Sequence, residues 1–213
     1  MASIGHLAAG ACVGALLSRL TPVRPSWAIL GGCFLALSPD LDLLTSRIGI
    51  AGVHFLRHRA MTHSLVFAFV VALMIGLAFR RRYPGARVGL FAFLAIGSHG
   101  LLDTLSLVGD GPRLLWPFLD AGVISPWQVV PGVATAADYF SILAVPTFLV
   151  ELLVFAPLVV ATVVLLMQGS EKREEEKGDG EEGAGSGEGE SARDGRKWDR
   201  IPDYSSSVNK IPA

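Results

Sequence analysis

Lysine is absent from the first 170 residues, and charge of either sign is scarce there. That stretch carries ten arginines and seven acidic residues, a formal balance of +3. Only 17% of the 213 residues are charged, against roughly a quarter in an ordinary soluble domain. A soluble domain of this size is therefore excluded as the first expectation. Cysteine is equally scarce. Cys12 and Cys33 both lie in apolar runs, where each reads as a small buried hydrophobe, and neither a CxxC spacing nor a disulfide framework is present. Also missing are a glycine-rich phosphate loop, a GxSxG elbow and a basic pattern for nucleic acid. NTPase, serine-hydrolase and nucleic-acid functions are excluded accordingly. No basic residue precedes Ile4 and His6 interrupts the apolar start, so this segment is expected to stay in the mature protein.

What is abundant is apolar sequence: 51% of the chain, with a mean hydropathy of +0.50. Apolar runs long enough to cross a bilayer are read at Ile4–Leu20, Trp27–Leu44, Met61–Phe79, Val88–Leu105 and Leu152–Gln168. A further stretch, Tyr139–Val150, is broken at Pro146. The expected fold is an all-α, multi-span membrane helix bundle of about five spans. Gly10 and Gly14 form a GxxxG suited to close helix packing.

From Glu171 the composition changes to EKREEEK followed by GDGEEGAGSGEGE, with eight basic and twelve acidic residues over 171–213. Almost no apolar side chains are present to offset ordering entropy, so this tail is expected to be disordered and separate from the 1–170 domain.

Arginines give the orientation. Arg19 and Arg24 flank the first turn, and Arg80, Arg81, Arg82 and Arg87 fill the turn between the third and fourth spans. Short arginine-rich loops stay cytoplasmic, although Arg47, Arg57 and Arg59 sit in the opposite loop. On this topology His6, Asp40, Asp42, His58, His63, His99 and Asp103 all fall at the extracytoplasmic ends of four separate segments. Ionisable groups at such positions are costly and mark function by default.

The spacings suit metal ligation. His99 and Asp103 are four apart and share a helix face. Asp40 and Asp42 follow Ser38–Pro39, where an extended or turn conformation aims alternate side chains the same way. His58 and His63 converge only if the third span begins between them, with Thr62 as its N-cap. Imidazoles mixed with carboxylates suit zinc first, with manganese or iron as alternatives. Arg59 is placed to clamp a phosphate or to pair with Asp40 or Asp42. His54 is the weakest candidate of the five histidines. Glu151 is expected either at the outer edge of the fifth span, orienting a ligand histidine, or protonated in mid-bilayer.

His6, PDLD at Pro39–Asp42, HRAMTHS at His58–Ser64, SHGLLDTLS at Ser98–Ser106 and LLWPF at Leu114–Phe118 occur in an order that resembles the YdjM/YbcI family of membrane-bound metal-dependent hydrolases. The pattern is also similar, more distantly, to zinc-dependent phospholipase C. The resemblance covers residues 4–118 and implies hydrolysis of a phosphoester or other ester at the membrane surface, with Asp42 or Asp40 as general base. Separately from the resemblance, a site at headgroup level suggests lipids or lipid-linked phosphates as substrates, and Trp116 is an expected anchor at that depth. The rival class is a metal-binding membrane protein without enzymatic activity, a transporter or inactive scaffold.

Overall fold

A computed structural model describes residues 4–43, 58–131 and 141–185. Among these residues the chain is all-helical, with five α-helices and no strand; the one extended pairing is an isolated bridge between Ser106 and Val130. The chain divides into two units, Met1–Lys172 and Arg173–Ala213, and the functional residues belong to the first.

Helix α1 (Ile4–Leu20) and helix α2 (Pro25–Leu37) form one antiparallel hairpin. Pro25 sits at the first helical position, where its missing N–H costs nothing. At Ser38–Pro39 the helix tightens into a 3-10 turn, Ser38–Asp42. The expected span to Leu44 is thus cut short at Leu37, and Leu44 itself lies outside the described residues. Helix α3 (Leu65–Phe79) and helix α4 (Gly85–Asp103) form the second hairpin, preceded by a 3-10 turn at Met61–His63.

The start of α3 corrects the sequence expectation. Ser64, not Thr62, is its N-cap, accepting the Phe67 N–H at 3.0 Å. His58 and His63 therefore both precede the helix and converge through loop and turn.

Helix α5 (Val145–Gly185) begins beside Pro146, after a 3-10 turn at Ile142–Ala144, so the apolar stretch is interrupted there as expected, but the helix starts seven residues before the expected span at Leu152. Pro146 falls in its first turn, where proline is tolerated, and the helix continues through Pro157 to Gly185. Helix α5 is assigned to Gly185, while the division into units falls at Lys172, beside the expected start of the tail at Glu171; residues 186–213 lie outside the described residues. Where lipid surrounds a helix, breaking it would leave backbone polar groups without water, which outweighs the roughly 3 kcal/mol cost of an interior proline.

Two helical segments, Gly85–Asp103 and Val145–Gly169, are long and apolar enough to cross a membrane, and only 17% of the most apolar window of the second is buried within the protein. Ile4–Leu20 and Leu65–Phe79 are apolar but shorter. Trp27, Leu30 and Phe34 on α2 and Phe69, Leu73 and Met74 on α3 are exposed. Apolar surface on that scale belongs against lipid or a partner, not water.

Each hairpin has one end at Asp40–Asp42 or His63 and the other at an arginine turn. The two arginine ends meet, since the Arg87 Nη1 donates to the Leu20 carbonyl at 2.8 Å. This leaves the starts of α1 and α3 and the ends of α2 and α4 gathered together.

Candidate metal centre

All seven histidines and aspartates singled out above as ligands come together at that opposite end. His6 stands in the first turn of α1, Asp40 and Asp42 in the 3-10 turn after α2, His58 and His63 before α3, and His99 and Asp103 in the last turns of α4. His54 lies outside the described residues. Two groups have ligand atoms mutually close enough to hold a metal ion: His6, His99 and Asp103, and Asp40, His58 and His63.

The groups touch. His63 Nε2 and His99 Nε2 lie 3.1 Å apart. Asp40 Oδ1 is 3.3 Å from His99 Nε2 and 3.6 Å from His63 Nε2, and Asp103 Oδ2 is 3.6 Å from His63 Nε2. Tetrahedral ligands about 2.0–2.1 Å from one ion would stand about 3.3 Å from each other. The donor set therefore has the spacing and chemistry that a zinc-like ion requires. His6 adds an independent sign: both its ring nitrogens are buried without a hydrogen-bond partner. Its Nε2 lies 3.7 Å from Asp103 Oδ1, and its ring stacks on His99 with centroids 3.8 Å apart. A buried imidazole with neither nitrogen bonded is costly unless something else uses its lone pair.

The rings are oriented from behind. His99 Nδ1 donates to the Ala36 carbonyl at 2.7 Å, which leaves Nε2 as the free lone pair. Asp42 Oδ1 takes His58 Nδ1 at 2.7 Å, and its Oδ2 lies 3.3 Å from His63 Nδ1. Thr62, whose hydroxyl donates to Asp42 Oδ2 at 2.6 Å, completes this network. Asp42 thus stands behind two histidines and outside both candidate groups, in the manner of the carboxylates that fix metal-binding imidazoles.

Burial alone would push both carboxyls up. Hydrogen bonds from His63 and His99 to Asp40, and from His58 and His63 to Asp42, outweigh it and hold both well below the usual carboxylate range. For His63 burial lowers the pKa, but Asp40 and Asp42 overcome it and raise the ring to about 9. A pKa raised on folding contributes stability that is fully present below about 6.5 and is lost as pH rises through about 9. Thermal melts in excess chelator should accordingly give a lower Tm at pH 9.5 than at pH 6. An unchanged Tm across that window would contradict the His63–aspartate pairing.

Arg59 departs from its expected partners. Its Nε lies 3.3 Å from Asp103 Oδ2, not beside Asp40 or Asp42, and its Nη1 donates to the Val108 carbonyl at 2.6 Å. Its backbone adopts φ +67°, uncommon for a side chain of this size, and its carbonyl accepts the Arg113 N–H at 2.9 Å. Gly109, at φ +88°, leaves the space the guanidinium fills, since a Cβ there would stand 2.5 Å from Nη1.

Thr62 as a carboxylate donor, the Ala36 carbonyl and the Val108 seat escape sequence reasoning, because backbone acceptors leave no residue signature. Trp116, expected as the headgroup anchor, is half-buried; Phe118 is the prominent side chain of that loop, 85% exposed.

The helices and this cluster define an all-helical membrane protein whose histidines and aspartates are placed to hold a metal ion. Residues 1–173 match the model of the YdjM inner membrane protein family, and the chain belongs to that family. It is also similar to the inner membrane protein YbcI of Escherichia coli (strain K12), at 38% identity over 130 residues, 60% of this chain and 73% of that one. No solved structure matches.

Proposed function

We propose that this protein is a membrane-embedded, metal-dependent hydrolase acting on phosphoesters or other esters at the extracytoplasmic surface of a prokaryotic inner membrane, with α1 to α4 and the Val145–Gly169 part of α5 as its five spans. The observation that carries the reading is the contact of His63 Nε2 with His99, Asp40 and Asp103 at 3.1–3.6 Å beside a guanidinium, where the ends of four helices gather. A divalent transition metal, zinc first, held by His6, Asp40, His58, His63, His99 and Asp103 would lower the pKa of a water and take up charge on the substrate oxygen.

The chain's own residues supply the remainder. Asp40, whose side chain is 27% exposed against 2% for Asp42, is the carboxylate open to a reactant. It accepts the proton of the attacking water as the new oxygen bond forms to phosphorus or acyl carbon; the ester bond breaks and the departing alcohol takes a proton from solvent. Asp42 holds His58 and His63 in register. Arg59 offers positive charge to a substrate oxygen, as arginine suits phosphate. The loop that seats Arg59 also exposes Leu115, Phe118, Leu119, Ile124 and Trp127. Apolar side chains beside a polar site favour a substrate presented from the bilayer, a lipid or lipid-linked phosphate.

The test is a panel of phosphoesters and uncharged esters, free and in mixed micelles, with protein stripped by chelator and reloaded with Zn, Mn or Fe. Turnover should require the metal, and Arg59→Ala should slow phosphoesters about tenfold or more while sparing uncharged esters. Metal-loaded protein that turns over nothing on the panel would leave the non-enzymatic metal-binding class in its place.

Orientation is checked separately by thiol labelling in a background free of Cys12 and Cys33. Phe118→Cys should react with an impermeant reagent on intact cells, and Arg81→Cys only after permeabilisation. Gly85 is unsuitable for such a probe, because a Cβ there would stand 2.5 Å from the Gly76 carbonyl. Reversed labelling would move the chemistry to the cytoplasmic face.

A further inference from the structure

Glu151 lies in α5, is 0% exposed, and takes no part in the chemistry above. Its Oε2 accepts the N–H of Ile4 at 3.1 Å and of Gly5 at 3.3 Å. These belong to the first turn of α1, whose N–H groups have no partner inside the helix. A carboxylate there gains charge-assisted hydrogen bonds and the favourable end of the helix dipole. One turn along α5, Phe155 lies against Gly5, its ring 2.4 Å from where a Cβ would stand. The 151/155 face of α5 therefore grips the first turn of α1 by hydrogen bonds and by shape.

The next residue is His6. Its situation differs from that of the other ligand histidines: Asp42 holds His58 and His63, and the Ala36 carbonyl holds His99, but no hydrogen bond orients the His6 ring. The backbone beneath it, the stack on His99 and Asp103 Oδ1 at 3.7 Å set its place. We infer that Glu151 is the positioning residue for His6, seating the α1 backbone so that the imidazole reaches the His99–Asp103 group. One sequence expectation has Glu151 orienting a ligand histidine directly; the hydrogen bonds seen here run to the main chain of α1.

The inference rests on the metal-binding reading, but one arm of its test does not. With the full-length chain in detergent and Co²⁺ as the probe, Glu151→Ala should bind about 10–100-fold more weakly and with an altered visible spectrum. Glu151→Gln, which keeps a carbonyl acceptor, should lose less. Glu151→Ala combined with His6→Ala should bind no more weakly than His6→Ala alone, because both remove the same ligand. Independently of metal, carbethoxylation of His6 by diethyl pyrocarbonate, read by peptide mass spectrometry in chelator, should rise severalfold in Glu151→Ala and less in Glu151→Gln, with His99 unchanged. Should Glu151→Ala fail to fold, the glutamine variant decides through the same two measurements. Additive losses in the double variant, or His6 reactivity that ignores position 151, overturn the inference. A wild type that binds no Co²⁺ sinks the metal reading alone, and the His6 reactivity still decides the positioning role.

Discussion

Protein purified in mild detergent should lose nearly all its bound transition metal when His63 is replaced by alanine. The size of the effect follows from where the ring sits. His63 Nε2 is the shared neighbour of His99 at 3.1 Å, Asp40 at 3.6 Å and Asp103 at 3.6 Å, so it belongs to the contact between the two candidate groups. Removing it also leaves Asp40 with fewer hydrogen-bond donors in a largely buried setting, which raises the cost of keeping that carboxylate ionised. Loss of the imidazole at the contact between the two groups leaves too few donors to hold an ion through purification. Elemental analysis of wild type and His63→Ala, side by side, is the measurement. Equal metal content would remove His63 from the centre, and metal-free wild type that also refuses added Zn or Mn would remove the centre itself.

A second large effect is expected far from any ligand. Gly32→Val should abolish accumulation of folded protein in the membrane. The α1–α2 hairpin closes backbone on backbone: a Cβ at Gly32 would stand 2.1 Å from the Gly10 carbonyl, and one at Gly14 would stand 2.3 Å from the Ala28 carbonyl. No flexible side-chain end lies there to move aside, so the helices themselves must separate. Overpacking of a yielding core costs about 1–3 kcal/mol, and an unyielding backbone contact costs more. Since α1 carries His6 and α2 leads into Asp40 and Asp42, separation also pulls ligands apart. Size-exclusion profiles in detergent and resistance to limited proteolysis would report the loss. A Gly32→Val protein with wild-type behaviour in both would mean that the hairpin is not packed this way.

How far these features could be read in advance depends on the kind of signal each leaves. His6, Asp40, Asp42, His58, His63, His99 and Asp103 stand out in the sequence because charge and imidazole are rare in apolar surroundings, and the alternation of helix ends puts them on one side. GxxxG at Gly10 and Gly14 announces close packing, and the glycines do sit against α2. By contrast, THS offers two good N-caps in three residues, and only the path of the chain decides that Ser64 caps while Thr62 turns to Asp42. The partner of Arg59 depends on a left-handed backbone at a non-glycine residue, which no residue pattern announces. Pro157 reads as a break by its own preference, yet the apolar context keeps the helix intact. The role of Glu151 is a contact 146 residues distant along the chain, beyond the reach of any local pattern.

That last distance has a consequence for biosynthesis. His6 is made early, the Asp40–Asp42 turn and His63 follow, and His99 and Asp103 come later still; Glu151 emerges more than 40 residues after the last ligand. Until α5 has been synthesised and inserted, the first turn of α1 lacks the carboxylate that seats it, and His6 has no fixed place. On the proposed reading, a nascent chain short of α5 would hold every other donor with His6 still unseated, so full metal affinity would come only with the final helix.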